Sequence, residues 1–239
     1  MNQVQFQAPP LSKINKVILI VTGACFLGAS ILKAIGAFSL VGILGLSGNG
    51  LFSGLVYQLV TYPFVEVNFM SFLFNSLVVW FIGSELESQW GQKIYLRFLL
   101  LTVLGVGLIY TLISLLFFFG TPVYFSSLHG LTGINFALLM AYAMIYPDRH
   151  MSLMMIFPMK ARTFCLILAG IEAYMAFFSG SMSSWAHLLA MGISYLIIHF
   201  QSRPLIRKVL NATFQTKSKR KNHLYVVKDE DQKPPKYWQ

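Results

Sequence analysis

The amino-acid sequence predicts an all-α, polytopic membrane protein: a bundle of six transmembrane helices with a half-inserted outer loop between helices one and two. Three observations carry this. Of 239 residues, 56% are hydrophobic and only 11% charged. Six apolar stretches approach the roughly 20 residues that a helix needs to cross about 30 Å of hydrocarbon. Finally, Lys and Arg collect in alternate connections, the pattern of cytoplasmic flanks. The aromatic load, 4 Trp, 11 Tyr and 21 Phe, suits helix packing and interfacial belts rather than a soluble domain.

The first span runs from Val17 to Ile35. Its Thr22-Gly23-Ala24-Cys25 stretch is similar to a lipoprotein cleavage box, but the preceding apolar run is short for a signal, so the segment is read as an uncleaved helix. Ala34 to Val65 is also uncharged. Gly45, Gly48, Gly50 and Gly54 there, with Ser47, Asn49 and Ser53 between them, disfavour a continuous helix, so this part is expected to be irregular and to lie in or half enter the outer leaflet. The other spans are Val67 to Gly83, Phe98 to Phe119, Leu128 to Tyr146, Thr163 to Phe178 and Ser184 to Phe200. Three regions follow: an N-terminal segment 1–13, a membrane domain 14–200 and a basic tail 201–239.

Charge orients the bundle. Lys13 and Lys16 precede helix one, Lys93 and Arg97 follow helix two, Arg149, Lys160 and Arg162 separate helices four and five, and Arg203, Arg207 and Lys208 follow helix six. Connections 120–127 and 179–183 carry no Lys or Arg. Both termini are therefore expected in the cytoplasm, in a pattern that suits a bacterial inner membrane. Lys33 breaks the alternation but can snorkel to the headgroups. The net charge of +10 comes largely from the tail, with Lys217, Lys219, Arg220 and Lys221, which is read as an orientation signal and solubilising segment, with anionic lipid as its other candidate partner. Nucleic acid is not an expected partner. Cys25 and Cys165 lie in apolar runs and are read as packing residues; no metal or cofactor is expected.

Two positions could carry chemistry. Gly130-Leu131-Thr132-Gly133 opens the fourth span, and Ala186-His187 lies near the start of the sixth. Both helices enter from the same side, so Thr132 and His187 share a depth. Gly130 and Gly133 are expected to thin helix four, and Ala190 and Ser194 repeat small residues along helix six, which allows close approach. A hydroxyl beside an imidazole is a nucleophile with its base. Taken alone, the pair reads more simply as a threonine bonded to its own backbone and a histidine satisfying a neighbouring helix.

Further stretches resemble the rhomboid family of intramembrane serine proteases. These are Leu59-Val60-Thr61-Tyr62-Pro63-Phe64 followed by Asn68 to Asn75, Trp80-Phe81-Ile82-Gly83 with Glu85-Leu86-Glu87 and Trp90-Gly91, Gly130 to Gly133 at that family's Gly-x-Ser-Gly, and Ala186-His187 at its helix-six histidine. The resemblance spans about residues 14 to 200. It implies a six-helix core with an outward-facing cavity, Thr132 at the nucleophile position, His187 at the base position, Asn75 as an oxyanion donor, and Phe136 against the histidine ring. Ser71 stands where that family carries an oxyanion histidine, and Glu66 where another histidine is common. Thr132 adds a methyl to the nucleophile and restricts its rotamers.

Gly130, Gly133, Phe136 and Glu172 complete the expected site. Glu172, an ionisable residue within helix five, is read as a packing residue bonded to a neighbouring helix in preference to a partner of His187 or Thr132. The expected function is a pseudoprotease that binds transmembrane segments of client proteins without cutting them. The alternatives are an active endopeptidase using Thr132 and His187, and a transport or lipid-handling protein. Client, oligomeric state and organism are not legible.

Overall fold

A computed structural model describes residues 10–36, 38–153 and 157–201. The basic tail and its lipid-binding expectation lie outside the described residues, as do residues 1–9 of the N-terminal segment. Helix α1 spans Lys13–Ala34, and the uncharged stretch after it forms three short helices, α2 (Leu40–Leu44), α3 (Gly48–Phe52) and α4 (Gln58–Thr61), with a 3₁₀ turn over Tyr62–Phe64. Next comes α5 (Phe69–Val78), which passes through a π-helical turn at Val79–Gly83 into α6 (Ser84–Trp90). The remaining helices are α7 (Gln92–Phe118), α8 (Thr132–Ile145), α9 (Ala161–Phe178) and α10 (Met182–Gln201).

Five of these units are long and apolar enough to cross a membrane: α1, the continuous Phe69–Trp90, α7, α9 and Met182–Phe200 of α10. The expected fourth span is only the 14 residues of α8, about 21 Å at 1.5 Å per residue. It is shorter because it is central. Nine of its residues are buried, from Ile134 to Ala143, so its neighbours face the surroundings in its place. The outer faces of those neighbours are apolar, with Leu27, Leu116, Leu166 and Phe177 all more than three-fifths exposed.

Two expectations need correction. Between α8 and α9, β1 (His150–Leu153) pairs antiparallel with β2 (Phe157–Lys160), so the fold is not wholly helical. The glycine-rich stretch after α1 forms no continuous helix, as expected, but it folds into three short helices in place of an irregular run, and its glycines permit close contact. A Cβ on Gly48 would lie 2.7 Å from Ser114 Oγ, and one on Gly50 would overlap the Gln58 side-chain amide. Leu46, fully buried, forms a β-bridge with Leu128, which ties this segment to the approach to α8.

Opposite ends of the bundle are held by different polar clusters. At the basic end, the buried Glu87 of α6 accepts from the backbone N–H groups of Ile14 and Asn15, at 3.2 and 3.4 Å, and so caps α1 from 72 residues away. Asn15 donates to Ser12 Oγ (2.9 Å) and accepts from Tyr95 Oη on α7 (2.7 Å). Arg149 pairs with Glu85, which also accepts from Tyr142 Oη of α8 at 3.2 Å. The starts of α1 and α7 and the ends of α6 and α8 thus share one face, as the charge alternation requires.

Candidate functional site

The opposite end holds the residues singled out by sequence. Gly130 takes φ of 95°, a conformation open to glycine, and the turn it makes delivers Thr132 as the first residue of α8. Glu66, 3% exposed, fixes this turn: its Oε1 accepts from Leu131 N–H at 2.9 Å and from Asn75 Nδ2 at 2.7 Å. A carboxylate at the N-terminus of a helix meets the free N–H groups and the positive end of the dipole. Gly130 is needed here twice over, since a Cβ would also stand 3.2 Å from Glu66 Oε1.

Asn75 is the hub. Its Nδ2 donates to Glu66 and, at 3.1 Å, to Thr132 Oγ1, while its Oδ1 accepts from Asn135 Nδ2 at 2.8 Å. Both amide protons are therefore committed, and the residue expected to serve an oxyanion is instead a bracket between α5 and α8. Ser71, one turn earlier, makes no hydrogen bond among the described residues and does not join the cluster.

His187 on α10 belongs to a second group. Its ring stacks on Phe136, centroids 5.2 Å apart, and its Nδ1 faces Glu172 Oε2 of α9 at 3.2 Å. That separation is an ion-pair distance. No hydrogen bond joins Thr132 to His187 among the described residues. The expected dyad is replaced by two pairs, Thr132 with Asn75 and His187 with Glu172. Of the two readings of Glu172, a packing residue set against a neighbouring helix and a partner of His187, its place on α9 beside the start of α10 is compatible with both.

The close approach of α8 and α10 rests on the small residues expected on α10 and not on the glycines expected to thin α8. Ala186, Ala190 and Ser194 are almost fully buried, and Ser194 Oγ donates to Ala137 O at 2.7 Å. Gly133 contributes nothing to it, because a Cβ there would meet no atom within 4 Å. Gly130 lies outside the helix. Asn135 was not foreseen; an Asn within an apolar helix, three residues after Thr132, was the available signal.

A cleft of about 180 Å³ opens beside these residues. Phe74 and Val78 form one wall, Phe164 and Leu168 of α9 the other, and Asn75, Thr132 and Asn135 lie along its floor. Asn135 Oδ1 is buried there with no partner, a state that polar groups rarely keep.

The apolar exterior and the membrane-length helices define the class, a multi-pass integral membrane protein. Within it, residues 16–215 match the family described as eukaryotic integral membrane protein (DUF1751), and the chain belongs to that family. No match is found among curated proteins. Membership corrects two expectations. The assignment to the rhomboid proteases is overturned, and a bacterial inner membrane gives way to a eukaryotic one. The shared motifs were short, and two of them, Gly130 to Gly133 and Ala186-His187, are small and polar residues near helix starts, a composition that close helix packing in membranes favours in general.

Proposed function

We propose that this protein is a non-hydrolytic receptor for transmembrane segments of other membrane proteins, which it engages from the bilayer through the cleft between α5 and α9. The observation that carries the reading is the combination of apolar walls and an amide and hydroxyl floor. A polar side chain in a client helix is costly in hydrocarbon, and interhelical hydrogen bonds in membranes recover about 0.6 to 2 kcal/mol each. The Thr132 hydroxyl and the unpartnered Asn135 Oδ1 are the groups that would recover it.

Binding without hydrolysis is supported by the pairing of side chains. Thr132 Oγ1 accepts from Asn75, and the imidazole that would deprotonate it is set against Glu172 and Phe136. Six crossings, with α8 as the fourth and the basic end toward the cytoplasm, complete the proposed arrangement, with both termini on that side.

The test uses the full chain in vesicles with two single-span peptides, identical except for Asn or Leu at the depth of Thr132. Energy transfer between labelled chain and peptide should show several-fold tighter association of the Asn peptide, and Leu168→Trp, which fills the cleft, should remove the difference. Equal association of both peptides with the unaltered chain would overturn the reading. Cleavage by the unaltered chain that Thr132→Ala abolishes would replace it with hydrolysis.

A further inference from the structure

A second concavity lies on the other side of the molecule, between α1 and α7, with a volume of about 390 Å³. Ile18, Leu99 and Ile134, all at least nine-tenths buried, form its floor. Val17 and Val21 of α1 face Leu96 and Leu100 of α7 across it, each more than a third exposed. Val60 and Phe64, from the segment after α1, close the end remote from the basic face. Lys13 and Gln92 stand at the open end.

The groove exists because α1 is pinned mainly at one end. Glu87 and Tyr95 bind its first turn through Ile14 and Asn15, whereas few of its later residues are buried. From Gln92 to Val103 the groove follows twelve residues of α7, about 16 Å at the helical rise. That is close to half of a hydrocarbon core of about 30 Å, the depth of one leaflet.

We infer that this groove binds one acyl chain of an anionic glycerophospholipid, with Lys13 at its open end holding the headgroup. An apolar channel of one leaflet's depth, closed at the inner end and cationic at the mouth, is complementary to an amphiphile with a single charged end. Lys13 is exposed at this mouth, and neither it nor Lys16 and Lys93, exposed in the first turns of α1 and α7, forms an ion pair among the described residues. Glu87, the acidic group that meets the first turn of α1, is buried and turned onto the α1 backbone, so it does not neutralise the mouth. The site is independent of the α5–α9 cleft.

The test places the full chain in vesicles containing photoactivatable phosphatidylserine or phosphatidylcholine, each with a mid-chain diazirine. Labelling should map to residues 13–21 and 96–103. Val17→Trp and Leu100→Trp, which fill the groove from opposite walls, should each reduce it about tenfold, and Leu112→Trp, exposed on α7 away from the groove, should not. Lys13→Gln should lower the phosphatidylserine preference about fivefold, the ratio expected of one basic residue at an anionic surface. If either filling variant fails to fold, the other decides. Unchanged labelling in a folded filling variant, or an unchanged headgroup preference in Lys13→Gln, overturns the inference.

Discussion

Removing the Glu66 carboxylate is the sharpest perturbation of the candidate site. Glu66→Ala leaves two buried donors without an acceptor, the Leu131 N–H and one Asn75 amide proton. Each orphaned donor costs about 1–3 kcal/mol, and the lost anion at the N-terminus of α8 adds about 0.3–1 kcal/mol. The expected loss is therefore about 2–7 kcal/mol, a large part of an ordinary folding free energy of about 5–15 kcal/mol. Glu66→Gln keeps an acceptor oxygen of similar reach and forfeits only the charge-assisted share of each bond, about 1–2 kcal/mol in all. Both variants can be compared by unfolding midpoint in detergent micelles titrated with a denaturing detergent. A Glu66→Ala protein within 1 kcal/mol of the unaltered chain, or a Glu66→Gln protein less stable than Glu66→Ala, would refute the argument that this side chain anchors the turn.

At the basic end, Tyr95→Phe removes the donor to the buried Asn15 Oδ1 and should cost about 1–3 kcal/mol in the same titration. Arg149→Gln breaks an ion pair whose members are 53% and 27% exposed, so stability should change by less than about 1 kcal/mol. Within the core, Ser194→Ala should cost about 1 kcal/mol by losing one hydrogen bond, whereas Ser194→Leu should cost about 1–3 kcal/mol or more by forcing α8 and α10 apart. A similar loss for the two Ser194 variants would show that the small residue is not what sets the helix separation.

The helices were legible because hydrocarbon imposes a length and a composition on whatever it surrounds. Where that constraint lapses, so does the signal. Helix α8 is shielded by its neighbours and stops at 14 residues, and residues 150–153 and 157–160 pair as two strands whose sequences carry no clear alternation. Thr132 and Glu66 stood out as departures from a familiar pattern and Asn75 as a match to it, yet the bonds that join them did not. Whether Asn75 donates to an oxyanion or brackets two helices depends on Glu66 and Asn135, residues 9 and 60 positions away. Glu87 is a similar case: nothing in its neighbourhood of sequence reveals that it caps a helix that begins 74 residues earlier.

The π-helical turn at Val79–Gly83 makes one membrane-length helix serve two different customers. Upstream of it, Asn75 points to α8; downstream, Ser84 and Glu87 meet the start of α1. A π turn holds one more residue than the α-helix it interrupts, which rotates everything beyond it by about 100°. Deleting any one residue between 79 and 83 would therefore restore regular hydrogen bonding and still misdirect half of the helix. Sequence length at this point is a rotational setting, so a single-codon deletion here should be far more harmful than most substitutions at the same positions.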